Sequence, residues 1–371
     1  MRDQSSSPRV QVPAATRPLL IQVVPRLIPG RCGVSDQAIF LARELKEAFA
    51  IDSAFVVLNS NQRSDLPYPI VHCLPSQLIE TCLKLTEGRP GAMLIHMSGY
   101  GYSADGAPTL LAESLETVRG SGQFRIAVFF HELFANGPPW KSAFWYSHRQ
   151  QKALRRIVAQ SGLNAASIGR NVEWLEGESR KKGGSPIHLM PVFSAAGETD
   201  APLSFEERKP VMVVFGLAGT RRTAYQMLGA AGNLVRTLGI QEILDVGPEC
   251  DCPSEINGIR VNRMGLVPAG QLPGIFSQAQ FGFVTHEWFC LGKSSVFAGY
   301  CAHGTIPVLT GPFPEEADGL REGVLVVTPR TAETARRSGW ETCSRAAWSW
   351  YNGHRLHAHA ELYANWMGDS L

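Results

Sequence analysis

The sequence predicts an α/β protein built as two doubly wound domains facing a cleft, with a C-terminal helical tail. Three observations carry this. From Leu19 onward, short apolar runs of the buried-strand type alternate with stretches of helical period, the pattern of parallel sheets covered on both faces. Between Pro191 and Pro210 the pattern lapses into Ser, Gly, Glu and Pro, which marks a linker, and then it starts again. Third, Phe281 to Val308, FGFVTHEWFCLGKSSVFAGYCAHGTIPV, contains a strand, a loop, a helix stopped by Gly304 and a further strand, an arrangement that puts a ligand loop at a strand's carboxyl end. The 371 residues are enough for two domains, each with its own core.

Taken in order, residues 1–18 are too polar for a core and are expected to be a disordered leader. The first domain, 19–195, opens with a strand at Leu19 to Val24, a loop PRLIPGRCGVSD, and a helix presenting Ala38, Leu41, Ala42, Leu45 and Phe49 on one face. Ser35 is placed to cap that helix. Further strands are expected at Ala54 to Leu58, Ile70 to Leu74, Ala92 to Met97, Phe124 to Phe130, Ala165 to Ile168 and Ile187 to Met190. The second domain, 210–330, has strands at Val211 to Phe215, Glu242 to Val246, Ile259 to Met264, Phe281 to Thr285, Ile306 to Leu309 and Val324 to Val327, with helices over Arg221 to Leu238 and near Gln271 to Gln278. Residues 331–371 hold Trp340, Trp348, Trp350 and Trp366 and are too aromatic to be loose, so they are expected to pack back on the domains as helices.

Thirty-five Lys and Arg against 33 Asp and Glu leave a net charge of +2, which gives no reason to expect nucleic acid as partner. The basic clusters at Arg155-Arg156 and Arg180-Lys181-Lys182 fit a solvated face and leave peripheral contact with a membrane surface open. The eight cysteines are scattered and expected to be reduced; Cys250 and Cys252 are close but lack a second pair at zinc-ligand spacing. No apolar run reaches membrane-span length and the N-terminus has no signal core, so a cytoplasmic protein is expected.

The chemistry-bearing residues cluster at predicted strand ends. His96 ends one strand and His131 another, with Tyr100, Tyr102 and Glu132 beside them, and polar groups next to aromatics suit a sugar. In the second domain FGLAGTRR puts Gly216 and Gly219 past a strand and Arg221 and Arg222 at the next helix start, where guanidinium groups can hold a diphosphate. Lys293, Ser294 and Ser295 open the helix of the Phe281 to Val308 stretch, whose first-turn N–H groups attract phosphate. Either serine could equally be a plain N-cap. Glu287 to Ser294 also matches a P-loop except at its first position, where glutamate replaces glycine, so a P-loop-like NTPase stands as an alternative. G-x-G-x-x-G, H-E-x-x-H and G-x-S-x-G are all missing, which argues against a dinucleotide dehydrogenase, a zinc protease and an α/β-hydrolase.

The order of these segments, GRCGVSD, FFHE, a linker, VVFG with arginine downstream, MGLVP and AHGTIPV, resembles the GT-B glycosyltransferases, most closely the family-four-like retaining enzymes (glycosyl transferases group 1). The resemblance covers about Leu19 to Val327 and implies two Rossmann-like domains, the first for the acceptor and the second for a nucleotide sugar, with neither metal nor cofactor. It implies that Gly33 approaches the donor phosphates, His131 contacts the donor sugar near the reacting carbon, Arg221 and Lys293 neutralise the diphosphate, and Leu266 and Val267 lie near the base. Glu132 or Asp36 would be the base if the reaction inverts. The acceptor would meet His96, Tyr100 and Tyr102. The family's paired glutamates are only half present: Glu287 has no second carboxylate at either Ser295 or Gly299, the two positions an alignment permits. The expectation is therefore a hexosyltransferase of the retaining, metal-independent kind acting in polysaccharide or glycoconjugate synthesis on a sugar, lipid-linked or small-molecule acceptor. A catalytically inactive carbohydrate- or nucleotide-binding protein of the same fold is the alternative.

Overall fold

The structure is a computed structural model that describes residues 18–368, except 30–31, 61, 63, 90, 136–138, 182–183 and 185. The expected leader lies outside the described residues but for Pro18, and so does Gly30 of the first loop. The first domain is a seven-stranded parallel sheet in the order β3-β2-β1-β4-β5-β6-β7, with β1 Leu19–Val24, β2 Asp52–Val57, β3 Ile70–His72, β4 Gly91–Met97, β5 Phe124–Phe130, β6 Leu163–Ala166 and β7 Ile187–Leu189. Its helices are α1 Gly33–Phe49, α2 Leu78–Leu85, α3 Gly99–Tyr102, α4 Thr109–Gly120, α5 Ser142–Val158 and α6 Gly169–Arg180. Because all the strands of this sheet run parallel, every loop that leaves a strand's carboxyl end lies on one rim.

The second domain is a six-stranded sheet in the order β10-β11-β9-β8-β12-β13, from β8 Lys209–Phe215, β9 Glu242–Val246, β10 Glu255–Ile256, β11 Ile259–Gly265, β12 Ala279–Phe283 and β13 Ile306–Val308. Only β10 runs antiparallel, as a short hairpin with β11. The helices are α7 Ala218–Ala230, α8 Leu234–Thr237, α9 Leu272–Gln278 and α10 Ser295–Ala302, and a two-stranded ribbon of β14 Glu316–Ala317 and β15 Leu320–Arg321 follows. The single helix expected over Arg221 to Leu238 is two, because Gly232, at φ +60°, lies between them in the left-handed region. Val324 to Val327 makes isolated bridges from Val327 to Val308 and from Val326 to Glu322 instead of a strand.

Two further expectations are corrected. Cys250 and Cys252 are joined as a disulfide, since the turn after β9 brings their Cα atoms to 5.6 Å, within bridging range. Ser35 does not cap α1: it lies inside the helix, and its hydroxyl donates to the Arg26 carbonyl (3.0 Å) and accepts from the Ile28 N–H (3.1 Å), which pins the preceding loop. The linker itself is packed. Val192, Phe193 and Ala196 are buried in an apolar cluster that also takes in Leu20, Leu94 and Phe129 of the first sheet and Val213, Phe276 and Tyr300 of the second domain.

The tail forms α11 Ala332–Ser338, α12 Trp340–Asn352 and α13 Leu356–Gly368. α12 packs on α10 of the second domain, while α13 crosses back and lies against α1 of the first. His359, Tyr363, Trp366 and Met367 are buried there, and a side chain such as Met367 contributes roughly 1.5–3 kcal/mol when fully buried. The Tyr351 hydroxyl donates to Glu198 and accepts from the Ser194 N–H (2.9 Å), which fastens α12 to the linker.

Candidate functional site between the two carboxyl edges

Strand register explains why His96 and His131 meet. Gln22 on β1 pairs with Leu94 on β4, and His96 on β4 pairs with Phe129 on β5, so stepping two residues each time keeps Gln22, His96 and His131 on one sheet face. The His131 N–H donates to the Met97 carbonyl (3.0 Å), extending the ladder by one residue. Gln22 Oε1 accepts from His96 Nε2 (2.8 Å), and its Nε2 donates to Ser53 Oγ (3.3 Å). With Nε2 of His96 as donor, its Nδ1 becomes the acceptor for His131 Nε2 at 3.3 Å, and His131 is left with Nδ1 as a lone pair. Burial holds both rings neutral: His96 is pushed down to about 3 and His131 well below the usual histidine range, with each other's potential charge adding to the effect at His131.

A pocket of about 210 Å³ opens beside His131. The first domain supplies Tyr100, Glu132, Arg170 and Asn171, and the second supplies Cys290 and Lys293. Lys293 Nζ donates to Glu132 Oε1 across the cleft at 3.1 Å. Both side chains are partly exposed, so this pair contributes about 0–1 kcal/mol and yields readily to a stronger anion. The Arg170 guanidinium lies over the Phe289 ring, 4.6 Å from its centroid, and the Gly169 N–H donates to Asp318 Oδ2 (3.0 Å), so the N-terminus of α6 is held from the second domain.

The loop carrying Lys293 is a 3-10 turn over Trp288–Lys293, and Ser294 is the N-cap of α10, accepting from the Phe297 N–H at 3.2 Å. Within the turn the Cys290 N–H donates to the Glu287 carbonyl and the Ser294 N–H to the Leu291 carbonyl. These donors are therefore not aimed at a phosphate in P-loop fashion, and the P-loop alternative is set aside. Gly292 shows why the turn is so tight: a Cβ there would stand 2.1 Å from the Ser167 carbonyl oxygen, and the Gly292 carbonyl accepts from the Val192 N–H (2.7 Å). Gly292→Ala is expected to force this turn off the first domain and widen the cleft, seen as a larger radius of gyration in solution scattering; unchanged scattering with unchanged stability would contradict the contact.

Other expected site residues fall in different places. Tyr102 is tied to the Val23 and His96 carbonyls (3.0 and 3.1 Å), so its hydroxyl supports β1 and β4 and is not offered to an acceptor. His96 is buried behind His131. Arg221 is 1% exposed: Nε donates to the Gly216 carbonyl (3.0 Å) and Nη1 to Asp245, which also accepts from the Tyr225 hydroxyl (2.8 Å). That geometry makes Arg221 a brace beneath the loop after β8, whereas its neighbour Arg222 is exposed. Gly33 begins α1 with open space where a Cβ would be, and Asp36 sits in the helix's first turn. Glu287 and Leu266 are exposed, Val267 and Ser295 half-buried. Gly299, where the family's second glutamate would align, faces inward: a Cβ there would stand 3.0 Å from the Phe276 ring.

Sequence reasoning missed Gln22, Arg170, Asn171 and Gly247. Gln22 had a signal, a polar residue inside the apolar strand LLIQVV. Gly247 had one too, since it follows β9 as Gly216 follows β8 and Gly265 ends β11. All three have positive φ, and a Cβ at Gly247 would stand 2.2 Å from the Gly216 carbonyl oxygen. Arg170 and Asn171 could be found only once the second domain was in place.

No family model and no curated protein matches the chain in sequence. Solved structures do match in fold. One is a UDP-forming α,α-trehalose-phosphate synthase from Burkholderia xenovorans, with a TM-score of 0.57 at 13% identity, covering 94% of this chain and 98% of the other. An α-glucosyltransferase in complex with UDP and a 13-mer DNA gives 0.55 at 11%, covering 94% and 98%. A putative UDP-N-acetylglucosamine 2-epimerase from Listeria monocytogenes gives 0.54 at 12%, covering 94% and 95%. The likeness runs the length of each chain and shows that this one has the GT-B fold of two Rossmann-like domains. Among the described residues, no helix is long and apolar enough to cross a membrane.

Proposed function

We propose that this chain is a glycosyltransferase that moves a sugar from a nucleoside-diphosphate donor on the second domain to an acceptor in the first. The observation that carries it is the pocket between the two carboxyl edges, where the Glu132–Lys293 ion pair lies beside the neutral His131 ring. Leaving-group departure puts negative charge on a diphosphate, and cations already in place meet that charge without reorganising. Lys293, freed from Glu132, and Arg222 in the second turn of α7 supply that charge, with the half-buried Ser295 at the first turn of α10, which Ser294 caps, beside Lys293. Gly216, Gly247 and Gly265 let the backbone edge approach the nucleotide, with Leu266 and Val267 against the base and Gly33 facing the phosphates from the first domain. The lone pair on His131 Nδ1 accepts a hydrogen bond from a donor-sugar hydroxyl near the reacting carbon.

Retention without a metal ion or other cofactor belongs to the proposal, drawn from the family resemblance. The acceptor side is Tyr100 and the pocket wall. The inactive binding protein remains as a second reading because Gly299 leaves the second carboxylate with no place.

The test is a thermal-shift panel of nucleoside diphosphates and their sugars, run in EDTA, followed by a sugar-release assay with the best donor. At least one nucleotide is expected to raise the melting temperature. Lys293→Ala is expected to weaken that nucleotide about tenfold, ~1.4 kcal/mol, with the ligand-free melting temperature unchanged. A panel with no shift overturns the donor site. Binding without release on any acceptor favours the binding protein, and release that needs added magnesium overturns the metal-free part.

A further inference from the structure

We propose that the carboxyl-edge rim of the first domain, centred on Trp140 and Trp145, seats on a bilayer surface bearing anionic lipid. Large apolar side chains are exposed along this rim: Leu74 in the loop after β3, Leu110 in the first turn of α4, Trp140 in the loop after β5, and Phe144, Trp145 and Tyr146 in the first turn of α5. Trp140 is 82% exposed and Trp145 69%. The pieces lie along one rim. Ser114 Oγ on α4 donates to the Pro75 carbonyl (2.6 Å), and Arg156 on α5 pairs with Glu116 on α4 at 2.8 Å, so the elements that carry the three loops pack side by side.

Two features select a bilayer as the occupant. The first is charge: α5 contains His148, Arg149, Lys152, Arg155 and Arg156 and no acidic residue. Arg149, Arg155 and Arg156 are ion-paired, to Asp105, Glu178 and Glu116, while Lys141 and Lys152 are exposed with no ion pair among the described residues. Such lysines attract an anionic surface, at about fivefold in affinity each. The second is the chemistry of the rings. Trp145 Nε1 donates to the Pro139 carbonyl (2.9 Å), so the indole can enter an interfacial layer without stripping water from an unpaired donor. A saccharide platform needs hydrogen-bonding groups beside its rings, and here the nearby Gln150 amide is occupied by the Ala135 N–H, the Tyr100 hydroxyl and the Asp105 carbonyl.

The rim also borders the pocket. Tyr146 lies one helical turn before Gln150, whose amide donates to the hydroxyl of the pocket residue Tyr100 (3.2 Å). A headgroup held in the membrane would reach the pocket from that side. The surface stands on its own observations, whether or not the donor reading holds.

Co-sedimentation with phosphatidylcholine vesicles and with mixed phosphatidylcholine and phosphatidylglycerol vesicles tests it, with tryptophan emission read on the same samples. Binding to the mixed vesicles, a blue-shifted emission and little binding to neutral vesicles are expected. The double variants Trp140→Ala/Trp145→Ala and Lys141→Gln/Lys152→Gln should each lose fivefold or more, with melting temperatures and nucleotide shifts unchanged. Equal binding to both vesicle types, no binding to either, or binding that survives the tryptophan changes would overturn the proposal. So would a soluble oligosaccharide that quenches Trp140 and Trp145 when vesicles do not bind.

Discussion

Acidifying this protein from neutral pH to about pH 5 is expected to unfold it, long before its carboxylates are titrated. His96 and His354 are each pushed down to about 3 and His359 to about 4, all chiefly by burial, and His131 is lowered well below the usual range by burial and by the repulsion it would meet from protonated His96 and His359. In the unfolded chain each takes up a proton near pH 6.5. The folded pKa is the depressed one, so their contribution is fully present above pH ~6.5 and is lost as pH falls toward 4 and 3. Between those limits each histidine removes about 1.4 kcal/mol per pH unit. His96, His354 and His359 together remove roughly 6 kcal/mol by pH 5, against a typical total of about 5–15 kcal/mol, and His131 acts in the same direction. A melting-temperature series from neutral to acid pH checks this. His359→Gln keeps a donor for the Pro191 carbonyl, now 2.9 Å from Nε2, and should move the acid midpoint lower. A melting temperature that is flat down to pH 5 would refute the neutral cluster.

Arg221→Ala is expected to cost about 3–5 kcal/mol, the usual penalty for leaving one partner of a buried ion pair uncompensated. Asp245 is 3% exposed and would keep only the Tyr225 hydroxyl, while Gly216 would lose the guanidinium that holds its carbonyl. The melting temperature should fall by about 4–6 degrees if the 371 residues unfold as one unit. Arg221→Leu/Asp245→Leu should recover part of that loss, because no lone charge then stays buried. Arg222→Ala should leave stability alone and weaken the nucleotide. The opposite outcome, a stable Arg221→Ala that no longer binds nucleotide, would return Arg221 to the donor site.

The contrast between these two arginines shows what a sequence can carry. Strand ends were legible because apolar runs stop where the backbone leaves the sheet, and His96, His131, Gly216 and Lys293 were all placed at carboxyl edges as expected. The direction of a side chain at a helix start was not. Arg221 and Arg222 are adjacent and identical in kind, and only the position of Asp245 on the neighbouring strand decides which one turns inward. Pairings across the cleft, Lys293 with Glu132 and Arg170 with Phe289, depend on how two separately folded sheets meet, and no local spacing encodes that. The aromatic tail was legible as packed material, but its return to α1 rests on surface complementarity between residues more than three hundred positions apart, such as Glu44 and His357 at 2.8 Å.

That return has a consequence for synthesis on the ribosome. β1 and α1 emerge well before α13, which covers α1 and brings His359 between Phe129 and Phe193. Until α13 is made the first domain therefore carries an uncovered apolar groove along Leu41 and Leu45. A nascent chain stalled or cleaved before Leu356 would have both sheets and would still lack the lid on the first, which makes it a natural client for a chaperone until α13 docks.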